Sequence, residues 1–374
     1  MKVLHTGTLN VNAGGPAMST YNTLCGLQHL GVEVEVLMYP LAKKLIGDRI
    51  PTHFTSKPLD SKLLYFPKSK KLIKALGDYD IYHAQGVWFY ITYALIDAAK
   101  QKAKPYLVTP RGMLYPRDMD KSNGFLKKLS LKIRLLNDLN KAACVHVTCE
   151  EEMQHCRNLG VTSPIAIIPN PVEIKEYAAY KRDSIFRLGY IGRLSPRKNV
   201  ESLIYAWNTL RDKLPESELL IIGGGDEHYE SFLRDEAKRL GLPNVRFVGF
   251  LSGREKDEAL ASVSVLAMPS EFENLGNVVL EGLVRRIPCI ATKGSPWESL
   301  NTHRCGWWVE YKQDAITNAI MDAALCSTDE LKAMGERGRT LMEQCYSIDV
   351  IANKMKHLYE WVLDRNEKPE FVYI

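Results

Sequence analysis

The sequence predicts an α/β protein of two parallel-sheet domains, and three observations carry that prediction. Short apolar runs alternate with amphipathic ones along the chain, the pattern of βαβ units. The alternation breaks once, at Pro169-Asn170-Pro171 and the charged segment from Glu173 to Asp183, and then restarts. The 374 residues suffice for two domains that each bury a core.

In the first half, residues 2–6 read as a buried strand, followed by the glycine loop Asn10-Val11-Asn12-Ala13-Gly14-Gly15-Pro16 and a helix from Ala17 to Leu30. Residues 32–38 are a second strand, which makes a βαβ unit and hence a parallel sheet. Gly14 and Gly15 put unhindered backbone at a strand's C-terminal end, where such sheets bind ligands, although a tight turn explains the pair as well. The stretch 41–76 is irregular. Asp80 to His83 and Tyr106 to Thr109 are further strands, the latter followed by the loop Pro110-Arg111-Gly112. Residues 124–143 form an amphipathic helix. Phe125, Leu129, Ile133, Leu136 and Leu139 are predicted to pack on the domain, with attachment to an anionic membrane as the alternative. Strands at 143–148 and 165–168 flank a helix over 150–159.

The second half repeats the theme. A strand at 186–191 leads into Gly192-Arg193-Leu194-Ser195-Pro196-Arg197-Lys198-Asn199 and a helix. The strand at 218–222 ends in Gly223-Gly224-Gly225, and a third runs from Val245 to Phe250. The strand that ends at Met268 opens the stretch MPSEFENLGNVVLEGLVRRIP (268–288), in which Glu273 and Glu281 are separated by seven residues. Gly276 and Asn277 there precede a helix, whose first-turn N–H groups face outward at the positive end of its dipole. An anion is favoured at that end, and carboxylates on either side suit a ligand that also brings hydroxyls. Arg193 and Lys198, five residues apart, suit a diphosphate. Singly, each of these features is more often a surface charge or a turn; the combination is what points to a site.

Composition is that of a globular protein. Met1-Lys2-Val3-Leu4-His5 meets polar residues at once, so no secretory leader is predicted, and the apolar run from Val87 to Ile96 is too short to span a bilayer. The eight cysteines lack metal or disulfide spacing and read as thiols in a reducing cytoplasm. Residues 1–170 hold 22 Lys+Arg against 13 Asp+Glu, the remainder 27 against 31. A basic first half suits an anionic surface, a nucleic acid or an acidic acceptor, or is simply solvated lysine.

GRLSPRKN (192–199), IIGGGDE (221–227), VRFVGF (245–250) and the Glu273–Glu281 spacing resemble the C-terminal half of retaining glycosyltransferases of family 4. The Asn12-Ala13-Gly14-Gly15 loop, Pro169-Asn170-Pro171, MGERGR (334–339) and Tyr359-Glu360-Trp361 extend the likeness. The resemblance implies the GT-B fold: an acceptor domain over 1–171 and a nucleotide-sugar domain over 172–355 facing a central cleft, with residues 356–374 crossing back to the first. It implies that Arg193 and Lys198 hold the donor diphosphate, with Gly15 and the main chain of Asn274, Leu275, Gly276, Asn277 and Val278. Glu281 would take the ribose hydroxyls, Val248 and Phe250 would flank the base, and Glu273 would orient the transferred sugar. Gly14, His83 and Arg111 would lie on the acceptor or sugar side.

The implied activity is hexosyl transfer from a UDP- or GDP-sugar to a glycan or lipid-linked acceptor in cell-surface polysaccharide (lipopolysaccharide-type) synthesis. No metal, cofactor or nucleic acid enters that reading. Its location is cytoplasmic, peripheral to the inner membrane face. A soluble-acceptor synthase of the sucrose or trehalose type, or a sugar-nucleotide epimerase, is the alternative. Departures from the family pattern are Arg111, where relatives often carry histidine, and Asn274 and Leu275, where glycine and an aromatic are common. Asp118-Met119-Asp120 has the form of a metal-binding DxD but reads as chance.

Overall fold

The computed structural model describes residues 1–10, 14–39, 46–47, 49–54, 73–74, 77–120, 124–177, 185–364 and 366–374. Val11, Asn12 and Ala13, and most of the irregular stretch 41–76, lie outside the described residues. Two compact units result: Met1–Pro171 with Ile348–Ile374, and Val172–Ser347. The expected division after residue 355 therefore needs correcting. It falls inside the helix Ile348–Val362, which groups whole with the first unit, so the second unit ends at Ser347.

The strands of the first unit are β1 (Lys2–Thr6), β2 (Glu33–Met38), β3 (Thr52–Phe54), β4 (Ile81–Gln85), β5 (Tyr106–Thr109), β6 (Cys144–Val147) and β7 (Ile165–Ile167). Those of the second are β8 (Arg187–Ile191), β9 (Glu218–Ile222), β10 (Val245–Gly249), β11 (Val265–Met268), β12 (Cys289–Thr292) and β13 (Gly306–Val309); β14 (Val372–Tyr373) returns to the first. The first sheet runs β14-β7-β6-β5-β4-β1-β2-β3 and the second β10-β9-β8-β11-β12-β13. Every pairing is parallel except β14 against β7. From its first strand, each sheet follows the 3-2-1-4-5-6 order of a doubly wound fold.

Helices cover both faces, so consecutive strand residues enter different cores. Val3, Val34 and Val36 join Leu24 and Leu27 on one side of the first sheet, while Leu4 and Leu37 join Tyr82 and Leu95 on the other. In the second sheet, Val265 and Ala267 face Trp207, whereas Leu266 and Met268 face Val279 and Leu283. Each such buried aliphatic contributes about 1.5–3 kcal/mol over its exposed state.

The C-terminal helix Ile348–Val362 packs on the helix Gly15–His29 at Gly26. A Cβ there would stand 2.7 Å from that of Ala352, so only glycine permits this approach.

The 124–140 segment meets expectation only in its second half: Leu139 is buried and Leu136 packs against the core, whereas Phe125, Leu129 and Ile133 do not, the π turn Leu131–Leu135 separating the two parts. Leu131, Leu135 and Leu139 are buried, and Asp138 is held by Lys100 at 2.5 Å and Arg134 at 3.0 Å. Phe125, Leu126, Leu129 and Ile133 are left exposed. Two apolar stripes interleave here, and the buried ion pairs on Asp138 fix which faces inward. No helix among the described residues is long and apolar enough to cross a membrane.

Candidate functional site

β8 and β11 are neighbours from which the second sheet is built outward in both directions, so their C-terminal loops flank the switch point where such sheets bind ligands. The loop after β8 lies backbone to backbone on the triple glycine after β9. Leu194 N donates to Gly224 O at 3.1 Å, and Asp226 N to Leu194 O at 3.0 Å. A Cβ on Gly223 would lie 1.8 Å from Gly192 O, and one on Gly225 2.3 Å from Leu194 O. Close packing thus accounts for two of the three glycines. Arg193, whose carbonyl accepts from the Tyr190 hydroxyl at 2.9 Å, is exposed and in no ion pair among the described residues.

Lys198 ends the short 3-10 turn Pro196–Lys198, and its ammonium pairs with the Glu273 carboxylate. The two loops are stitched together by one main-chain and one side-chain bond: Glu271 N donates to Arg197 O at 3.0 Å, and Asn199 Nδ2 to Pro269 O at 3.2 Å. Glu273 is nearly buried and donates its own N–H to Gly294 O at 2.7 Å.

Gly276 caps the helix Asn277–Val284 at φ 75°, and a Cβ there would meet Met268 Sδ at 2.6 Å. Conformation and space both demand glycine. Leu275 is buried, its carbonyl accepting from the Trp297 indole N–H, while Asn274 and Asn277 are half-buried, the latter opening the helix. The helix has no side-chain cap and no acid in its first turn, so its positive end is not neutralised within the helix.

Glu281 lies on this helix and pairs with Lys256 of the helix Gly253–Ala261 at 2.9 Å. Lys256 carries no signal in the sequence, where it is one charge on an amphipathic helix. Val248 sits at a bulge ending β10, where the register with β9 slips between Phe247 and Gly249. Phe250 follows, 80% exposed. Lys198 and Glu273 are thus in direct contact, whereas no ion pair among the described residues joins Glu281 to them.

In the first unit, Gly14 (φ 62°) precedes the helix that opens at Gly15. Arg111 follows β5 at φ 59°, half-buried. Its Nε donates to Gln85 Oε1 at 2.8 Å; its Nη1 donates to Asn170 Oδ1 at 2.8 Å and Ser19 Oγ at 3.2 Å. Burial lowers its pKa to about 10.

His83 does not lie on an accessible acceptor side: it is fully buried, with both ring nitrogens engaged. The chain of bonds runs from Ile168 O to His146 Nε2 (2.8 Å), His146 Nδ1 to Thr109 Oγ1 (2.9 Å), and Thr109 Oγ1 to His83 Nε2 (2.7 Å). It continues from His83 Nδ1 to the Tyr359 hydroxyl (2.7 Å) and on to His5 Nε2 (3.1 Å). A carbonyl only accepts, so His146 Nε2 carries the proton, and with neutral rings every later donor is fixed in turn, leaving His5 Nδ1 as a buried acceptor without a partner. Burial, aided by the Arg111 charge, pushes His5 down to about 3 and His146 to about 4; burial also lowers His83 well below the usual histidine range. The sequence offers no sign of this relay, because its members are 354 residues apart at the extremes. Asp118 and Asp120 lie on the helix Pro116–Asp120, with Asp120 paired to Lys128 at 2.6 Å.

Two doubly wound units, the second with a cation–carboxylate pair beside an uncapped helix start, place the protein in the class of ligand-binding α/β folds. Two family models match it in series: Glycosyltransferase Family 4 over residues 13–176 and Glycosyl transferases group 1 over residues 174–341. The chain belongs to the family 4 glycosyltransferases of GT-B fold. It is similar to the alpha-1,3/1,6-mannosyltransferase alg2 of Schizosaccharomyces pombe, 26% identical over 44% of this chain and 38% of that protein. A GDP-mannose-dependent monoacylated alpha-(1-6)-phosphatidylinositol monomannoside mannosyltransferase of Corynebacterium glutamicum is 31% identical over 45% of each. The matches therefore span less than half the length of these relatives. Among solved structures, sucrose-phosphate synthase of Thermosynechococcus elongatus superposes with TM-score 0.78 at 19% identity, over 98% of this chain and 100% of that one. HepE of Anabaena, in complex with UDP and glucose, gives 0.75 at 18%, over 96% and 100%. At these identities the likeness establishes the fold.

Proposed function

We propose that the protein is a retaining hexosyltransferase that moves a sugar from a UDP- or GDP-linked donor to a glycan or lipid-linked acceptor. The observation that carries this reading is the Lys198–Glu273 pair at the switch point of the second sheet, beside the Gly276 helix start. Arg193 and Lys198 hold the donor diphosphate, with the amides of residues 274–278. Glu281 accepts from the ribose hydroxyls, and Val248 and Phe250 flank the base. Glu273 orients the transferred sugar.

In the transfer step the acceptor oxygen bonds to the anomeric carbon as the bond to the diphosphate oxygen breaks. The acceptor's proton passes to a phosphate oxygen on the same face, so configuration is retained without a protein nucleophile. Negative charge grows on the leaving diphosphate, where the two cations and the helix start are fixed in advance. These cations supply the positive charge without calling on a metal.

The first unit takes the acceptor, with Gly14 and Arg111 on that side. Its exposed apolar stripe, Phe125, Leu126, Leu129 and Ile133, with Lys128 and Lys132 exposed beside it, supports an acceptor at an anionic membrane surface. The Corynebacterium glutamicum relative, named for GDP-mannose, favours a GDP-sugar as the first donor to try.

A donor screen tests the reading: nucleoside diphosphate release is scored across UDP- and GDP-sugars, with and without lipid-linked acceptors. Acceptor-stimulated release from one donor, lost in Glu273→Ala, is expected. Release equal in wild type and in both Glu273→Ala and Lys198→Ala removes the mechanism.

A further inference from the structure

Four segments at the C-terminal edge of the first sheet converge on one guanidinium. Arg111 follows β5; Gln85 ends β4; Ser19 belongs to the helix after β1; and Asn170 follows β7. Ser19 also donates to Asn170 Oδ1 at 2.7 Å, which closes the cluster. All three acceptors on Arg111 are neutral, and Arg111 forms no ion pair among the described residues. Burying a cation without a counter-charge in contact is unfavourable, and so is the left-handed backbone at Arg111.

Glu152 acts on Arg111 through space, but no ion pair joins the two among the described residues. Its carboxylate accepts from Gly112 N at 2.5 Å and from Thr148 N and Oγ1 at 2.9 and 3.1 Å, so its hydrogen bonds anchor the loop. The Nε and Nη1 protons of Arg111 are therefore consumed, whereas Nη2 donates to nothing among the described residues. The helix Gly15–His29, to which Ser19 ties Arg111, has no acid in its first turn and no side-chain cap. A positive group held rigidly by neutral acceptors, with one nitrogen unspent, is built to meet an anion.

We propose that Arg111 Nη2 holds an anionic group of phosphate type carried by the acceptor, so that the substrate class is a phosphorylated glycan or lipid-linked phosphate. This deepens the proposed transferase reading and rests on it. The competing source of the same chemistry is the donor's own diphosphate.

Inorganic phosphate, titrated calorimetrically into the full chain saturated with UDP or GDP, separates the two. Wild type is expected to retain one saturable phosphate site with nucleotide bound. Arg111→Gln should weaken that site at least tenfold while nucleotide affinity changes less than twofold. Gln85→Glu is the second variant: it hands Arg111 a carboxylate and keeps the geometry, so it should raise or preserve the thermal midpoint yet weaken phosphate at least tenfold. A merely structural arginine would shift the midpoint and leave phosphate binding alone. Phosphate affinity equal to wild type in both variants overturns the proposal, as does the lack of a saturable phosphate site in the nucleotide-bound wild type. Loss of nucleotide affinity in Arg111→Gln assigns the residue to the donor and overturns it too. Failure of the chain to bind either nucleotide would instead strike at the transferase reading itself.

Discussion

Replacing Glu273 with glutamine separates its two proposed tasks. In the structure its carboxylate is bound to Lys198, and the two side chains are only 11% and 18% exposed. At the effective dielectric of such a site the direct attraction at contact is about 4 kcal/mol, from which desolvation and ordering subtract. A net ~1–2 kcal/mol is a fair working value for a charged hydrogen bond of this burial. A donor diphosphate must draw Lys198 away from Glu273 or share it, so the carboxylate competes with the ligand. Glu273→Gln should therefore bind UDP or GDP about 5–30-fold tighter, because 1.4 kcal/mol is a factor of ten. Transfer should nevertheless fall by roughly 10²–10³, since the sugar loses the group that orients it. Titration calorimetry with the bare nucleoside diphosphates and initial rates with the sugar nucleotide read the two effects independently. Weaker nucleotide binding in Glu273→Gln would show that Lys198 does not serve the phosphates.

Four further outcomes follow from the same geometry. Gly276→Ala should destabilise the second unit by about 2–4 kcal/mol, through a positive φ and a clash with Met268, and should weaken nucleotide binding with it; a denaturant midpoint within 1 kcal/mol of wild type, on the same scale, would contradict this. Phe250→Ala should leave the fold intact, because the ring is exposed, yet reduce nucleotide affinity by about 1–3 kcal/mol if a base stacks there; equal affinities would remove the base site.

Acidification should destabilise the first unit. His5 and His146 titrate near 3 and 4 when folded and near 6.5 when unfolded, so between those values the unfolded chain binds more protons and stability drops as the pH is lowered. At pH 5 the loss is about 2 kcal/mol from each, with His83 adding in the same direction. Urea midpoints at pH 7 and 5 check it; a stability that does not change would mean the rings are not buried neutral. Finally, Phe125→Ser with Ile133→Ser should abolish sedimentation with anionic vesicles without changing the fold, and undiminished sedimentation would discount the stripe.

The strand-end residues of the second unit were legible because parallel strands buried on both faces read as continuous apolar runs, which locate their own C-terminal ends. Gly276, Lys198 and Glu273 could be placed on loops for that reason. What could not be read was pairing across distance. Nothing local distinguishes Lys256 as the partner of Glu281, or joins His5 to Tyr359. The inward face was right for Leu136 and Leu139 and wrong for Phe125, Leu129 and Ile133, because the π turn Leu131–Leu135 interrupts the helical period and the sequence does not announce it. β3 and β14, of three and two residues, are too short to announce themselves.

The return of residues 348–374 to the first unit has a consequence for synthesis. Met355, Leu358 and Tyr359 fill a core that β1 and β2 open several hundred residues earlier, and Val372 pairs with Ala166 at the sheet edge. A ribosome making this chain finishes Val172–Ser347 while the unit begun first still exposes a gap where those side chains belong. The half started last is thus the half able to close first, and a nascent chain halted short of Tyr359 would carry an open apolar seam and a histidine relay with its middle link missing.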